Sequence, residues 1–198
     1  VNCDRFSAVT LGYTPVIPTL HRADNFVYHS NLTAVREVHR LGYRRLGLAT
    51  PRYDDERVHR QLSSGFAAAQ RDWGLDQLPL FLVEEDGWKP STFLKWMKRC
   101  RPDVVFSIQH EVLDWLRDAG YRVPEDVGFV GLNCPDSDGD VSGIYQNGQA
   151  VGASAIDFLV GMIHRNERGI PARPQSILIE GEWVTGRTVR RINVAAKR

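Results

Sequence analysis

The sequence predicts a doubly wound α/β fold, a parallel sheet covered by helices on both faces, and three observations carry that prediction. Amphipathic stretches with a helical period alternate along the 198 residues with short runs that are apolar throughout. Four times an amphipathic stretch runs out in a glycine followed by an apolar or aromatic residue: Gly42-Tyr43, Gly74-Leu75, Gly120-Tyr121 and Gly169-Ile170. Glycine adopts the left-handed conformation that ends a helix, and the residue after it packs back on the last turn. Strands buried on both faces and separated by helices form parallel sheets.

The elements follow in order. Ala8 to Tyr13 has strand composition, and Leu32, Val35, Val38 and Leu41 mark the apolar face of a first helix. Leu46 to Ala49 is a strand. Val58, Leu62, Phe66, Ala69 and Trp73 predict a single second helix. Leu80 to Val83 is again strand-like, and Ser91 or Thr92 is the expected cap of a helix carrying Phe93, Leu94 and Met97 and ending near Cys100. Strands at Val104 to Ile108 and Val127 to Leu132 flank a short helix from His110 to Ala119. Val151, Ala155, Phe158, Leu159 and Met162 mark the last helix, and Ser176 to Ile179 and Trp183 to Thr185 the last strands.

In such sheets ligands bind beyond the carboxyl ends of the strands. That rule selects Thr50 to Arg57, Glu84 to Pro90, Ser107 to His110 and Asn133 to Ser142, loops that mix a tryptophan, arginines, amides and carboxylates. The mixture suits a polar organic ligand.

Composition excludes several functions. With 42% hydrophobic and 25% charged residues the chain is expected to be globular, and no run approaches the eighteen apolar residues of a membrane span. A net charge of +1 lacks the basic stripe of a self-sufficient nucleic-acid module. Arg36, Arg40, Arg44 and Arg45 gather at one helix end, where cations complement the helix dipole. Cys3, Cys100 and Cys134 show no CxxC spacing, so neither a disulfide framework nor a zinc site is expected, and free thiols favour the cytoplasm. The Asp136–Asp140 run misplaces the glycine of a calcium loop and lacks its closing glutamate. No nucleophile elbow, P-loop or dinucleotide turn is present. The expectation is a binding protein that is not an enzyme and uses no metal or cofactor.

The order of signals resembles the lactose-repressor/galactose-repressor (LacI/GalR) family of bacterial transcription regulators. Asp24, a helix ending in Leu41-Gly42-Tyr43-Arg44-Arg45-Leu46-Gly47-Leu48, and Arg60 before Ser64-Gly65-Phe66 begin the match. Gly120-Tyr121-Arg122-Val123-Pro124-Glu125-Asp126-Val127-Gly128-Phe129-Val130-Gly131-Leu132 is similar to the family's G-x-x-V-P-E-D-V-x-V-x-G segment, and Gly186-Arg187-Thr188-Val189 completes the pattern.

The resemblance implies a periplasmic-binding-protein-like, two-lobed core with most of the first lobe missing. Residues 25–144 and 181–190 would form one lobe, residues 1–24 and 147–179 the remnant of the other, and 191–198 a tail. The chain begins at Val1 rather than methionine. A helix-turn-helix headpiece is accordingly expected upstream, with DNA contacted only through it. A homodimer and a carbohydrate-like effector that closes the lobes are implied as well. The alternative is a secreted solute-binding protein of the same fold, and a carbohydrate-processing enzyme is a third reading.

Carried over residue by residue, the resemblance places Trp88, Gln109, Asn133 and Gln146 against the effector, with Phe106 as an aromatic wall. An indole face stacks on a sugar or base ring, and amides fix its hydroxyls. Asp24 sits where the chain crosses between lobes. Leu62 stands where relatives carry an arginine and Asn133 where they carry an aspartate, so Arg57 or Arg60 is the candidate replacement cation.

Each candidate has a structural alternative. Trp88 reads equally as a packing plug or a dimer contact, and Arg57 and Arg60 as partners of Asp54, Asp55 or Glu56. Phe106 reads as core. Asn133 and Gln146 read as backbone caps, and Asp24 as a helix start.

Overall fold

The computed structural model describes residues 3–13 and 18–192, and these form two compact units, 1–26 with 146–181 and 27–145 with 182–198. Of the tail expected at 191–198, residues 193–198 lie outside the described residues.

Unit 2, the larger, holds six strands: β3 (Leu46–Pro51), β4 (Phe81–Val83), β5 (Val104–Ser107), β6 (Gly128–Cys134), β7 (Gly143–Tyr145) and β9 (Glu182–Val184), ordered β4-β3-β5-β6-β7-β9. Pairing from β4 to β7 is parallel, as the apolar runs predict. β9 instead runs antiparallel to β7, so the sheet is mixed.

Its helices α1 (Val27–Leu41), α2 (Arg52–Arg57), α3 (Gln61–Asp72), α4 (Pro90–Cys100) and α5 (Glu111–Asp118) cover both faces. Side chains alternate along a strand. Val105 and Phe129 therefore pack with Phe93, Trp96, Met97, Leu113 and Leu116 on the α4 and α5 side, while Phe106 meets Phe66 of α3 edge-to-face at 5.1 Å. Burial of each such side chain stabilises the unit by about 1.5–3 kcal/mol.

Unit 1 is a three-stranded parallel sheet, β1 (Val9–Leu11), β2 (His21–Asn25) and β8 (Ser176–Ile179), ordered β1-β2-β8. Helix α6 (Gly148–His164) lays Val151 and Ala155 on Ala23, with Val9, Ile177 and Ile179 around them.

Three of the four glycine stops end helices. Gly42, Gly74 and Gly120 have positive φ, and the amides of Tyr43, Leu75 and Tyr121 bond back to the carbonyls of Val38, Gln70 and Leu116. Gly169 does not end α6. Asn166 takes the left-handed position there, with Glu167 N bonding to Met162 O at 2.9 Å, and Gly169 N bonds instead to Phe6 O. Asparagine enters that conformation more readily than other residues with a side chain.

Other expectations need correction. The single helix from Val58 to Trp73 is broken: His59 and Arg60 have φ of 54° and 60°, α3 begins after them, and α2 occupies most of the expected Thr50–Arg57 loop. Buried Asp55 holds this corner, its carbonyl accepting from Arg60 N at 2.6 Å and its Oδ1 from Ser63 N at 3.0 Å. The α4 cap is Lys89 with Pro90 in the first turn rather than Ser91 or Thr92. Strands β2 and β7 escape a hydrophobicity reading, because His-Arg-Ala-Asp-Asn is buried by its neighbours on either side and Gly-Ile-Tyr is too short to show a period.

Candidate functional site

Three loops at the carboxyl ends of β3, β4 and β5 converge in unit 2. Pro51 ends β3, and α2 presents Tyr53 and Asp54 directly after it. Beyond β4 a single 3-10 turn at Glu85–Gly87 delivers Trp88. Beyond β5, Ser107 Oγ accepts from Gln109 N at 3.0 Å and sets Gln109 ahead of α5, whose first residue is Glu111. These residues line one cavity of about 450 Å³.

The walls are cross-braced. Gln109 Nε2 donates to Asp54 Oδ2 at 2.8 Å, joining the β5 loop to α2. Arg57 approaches the other oxygen, Oδ1, at 3.8 Å. The Trp88 indole N–H donates to Glu111 Oε1. Behind it the ring packs on Trp115 at 5.1 Å and Phe81 at 5.7 Å, so one edge joins the core and the other faces the cavity. Tyr53 is 67% exposed at the rim.

The candidates named from sequence therefore separate. Trp88 and Gln109 come together in the cavity wall, and Arg57 stands behind it through Asp54. Arg60 points to solvent, 3.6 Å from Glu56 with its side chain 71% exposed. Asn133 is exposed near the end of β6, where its carbonyl accepts from His110 Nε2 at 2.9 Å, and it is not among the residues lining the cavity.

Phe106 corrects the sequence reading. It is fully buried against Phe66 on the α3 side of the sheet and leaves no face for a ligand. Leu62, standing where an arginine is expected, is likewise core.

In unit 1, Asp24 closes on the end of β2, its Oδ1 accepting from Asn25 N at 2.7 Å, and Asn25 Nδ2 donates to Gln146 Oε1 at 3.0 Å. Asn147 follows and caps α6 by accepting from Ala150 N at 3.1 Å. Asp24 belongs to a strand rather than a helix start.

Tyr53, Asp54, Glu85 and Glu111 were not named from the sequence as ligand-binding residues, and Asp54 entered only as an expected partner of Arg57 or Arg60. Three of them lie in loops the strand-end rule had already selected, and Glu111 follows the third loop by one residue.

Residues 35–189 match the family model described as periplasmic binding protein-like domain. The chain belongs to that family. No curated protein matches the sequence. Among solved structures, a LacI family transcriptional regulator from Enterococcus faecium with bound ribose superposes with a TM-score of 0.71 at 16% identity, covering 93% of this chain and 71% of its own. The transcriptional regulator CelR in complex with cellobiose gives 0.70 at 18%, covering 91% and 58%, and CcpA of Lactococcus lactis 0.72 at 13%, covering 94% and 70%. The chain shares the fold of these three regulators, as the resemblance implied, and spans 58–71% of their length. This periplasmic binding protein-like domain presents its cavity at the strand ends, where α/β sheets hold ligands. No helix among the described residues is long and apolar enough to cross a membrane.

Proposed function

We propose that this domain is the effector-binding core of a cytoplasmic transcription regulator and that its effector is a small sugar-like molecule held against Trp88 and Gln109. The observation that carries the reading is their convergence on one cavity, beyond three parallel strand ends, in a fold shared with regulators that have bound ribose or cellobiose. An indole wall offers an apolar face to a sugar ring, and the amide and carboxylates around it offer partners for hydroxyls. Arg57 acts through Asp54. Asn133 and Arg60 have secondary roles at most.

In this reading DNA is contacted through a headpiece upstream of the segment, and the regulator works as a homodimer. The chemistry is recognition without turnover. Titrating ribose, cellobiose and a wider carbohydrate panel while following the sugars by proton NMR tests both parts. Saturable binding with every sugar recovered unchanged supports the reading, and product formation refutes it.

A further inference from the structure

We infer that the effector carries a positive charge, as an amino sugar or a comparable hydroxylated amine does; the inference rests on the effector site proposed above and narrows its ligand class. The cavity offers two aromatic faces, Tyr53 and Trp88, and three carboxylates, Asp54, Glu85 and Glu111. Among its lining residues there is no lysine or arginine.

The two guanidinium groups of α2 are already engaged. Arg57 stands 3.8 Å from Asp54, and Arg52 pairs with Glu84 at 2.7 Å. Two of the wall's donors are spent within it: one Gln109 amide hydrogen goes to Asp54 and the Trp88 N–H to Glu111, which leaves the Tyr53 hydroxyl and the second amide hydrogen against six carboxylate oxygens. What remains toward the cavity is mostly acceptor capacity on carboxylates and the Gln109 carbonyl.

A neutral sugar both donates and accepts through each hydroxyl, so a wall this poor in donors leaves part of its capacity unmatched. An ammonium group only donates. It also gains from the aromatic faces through cation–π attraction and from the carboxylates through charge-assisted hydrogen bonds. Aromatic rings set beside carboxylates thus discriminate for a cation.

The test compares glucosamine with glucose and with N-acetylglucosamine, whose nitrogen is neutral, with ribose and cellobiose as further neutral probes. Each is titrated calorimetrically into the 198-residue chain and into the Glu85→Gln/Glu111→Gln double variant; both glutamates are exposed, so their amides leave the core intact. The inference predicts that glucosamine binds at least about tenfold more tightly than glucose or N-acetylglucosamine at low salt. It predicts that half-molar salt erodes this preference and that the double variant reduces it to about threefold or less.

Equal or tighter binding of a neutral sugar, lost in Trp88→Phe, overturns the charge inference and leaves the effector site standing. Binding of neither class, or binding of either that is indifferent to Trp88→Phe, overturns both.

Discussion

Gln109 and Asp54 are 55 positions apart in sequence, yet the Gln109 amide donates to Asp54 Oδ2 at 2.8 Å and ties the end of β5 to the helix that follows β3. Replacing the amide, as in Gln109→Leu, leaves a buried carboxylate with only the longer Arg57 contact. Losing a partner of a buried polar group costs about 1–3 kcal/mol, and urea denaturation of Gln109→Leu should show a loss in that range. Unchanged stability would mean that the bond contributes nothing in solution.

Trp88 is held from behind by Trp115 and Phe81. Trp88→Ala should therefore destabilise the fold by about 2–4 kcal/mol, somewhat below the cost at a fully buried aromatic. Trp88→Phe should lose far less, which makes it the proper variant for binding studies. Glu111→Gln removes the carboxylate that receives the indole N–H and should shift the tryptophan emission spectrum while leaving the denaturation midpoint nearly unchanged.

Two glycines mark close approaches. A Cβ at Gly47 would press into the Trp96 indole, whose N–H is fixed on Pro79 O at 2.7 Å, and a Cβ at Gly143 would collide with the Gly131 carbonyl oxygen across the β6–β7 pairing. The Trp96 ring can shift, whereas the Gly131 backbone cannot without breaking the sheet. Gly47→Ala is expected to cost about 1–3 kcal/mol and Gly143→Ala more, read from thermal melts of the two variants side by side.

Cys134 is buried, and that burial pushes its thiol up to about 11, a backbone bond from Ile144 offsetting only part of the effect. The thiolate is the reactive form. At pH 8, native Cys134 should therefore alkylate much more slowly with iodoacetamide than the same residue in urea-unfolded protein, as read by mass spectrometry of its peptide. Comparable rates would place the thiol at the surface.

Asp126 is held down to about 2 by the Arg122 side chain, whose Nε and Nη2 donate to the carboxylate at 3.0 and 2.6 Å. A carboxyl group depressed by folding stabilises the fold above its ordinary value of 3.8, and that contribution is lost as pH falls toward about 2. The pair is exposed and its effect correspondingly small. Asp126→Asn should flatten the dependence of the melting temperature on pH between those two values, and an unchanged profile would remove Asp126 from the acid response.

Much of the fold was legible because burial and period coincide. The apolar runs at Val104 and Leu46 are core strands, and the glycines after α1, α3 and α5 end helices by the geometry their neighbours announce. Where burial comes from neighbours, as for β2, composition is silent. The break at His59–Arg60 was hidden because non-glycine residues take the left-handed turn there, held by Asp55.

The site was legible to the level of the loop. Trp88 and Gln109 were named through the family resemblance, and both fall in loops that the strand-end rule also selects. Phe106, an aromatic wall by the resemblance and core by its strand, takes the α3 face of the sheet and is buried against Phe66. Asp54 and Glu111 required the tertiary bonds that only the folded chain displays.

Calorimetric titration of the tightest-binding member of a carbohydrate and amino-sugar panel into wild type, Trp88→Phe and Gln109→Leu tests the account most directly. A loss of about tenfold or more in affinity in each variant, with the fold retained by circular dichroism, is the expected result. Affinity within twofold of wild type in both variants would contradict the assignment of the effector to this cavity.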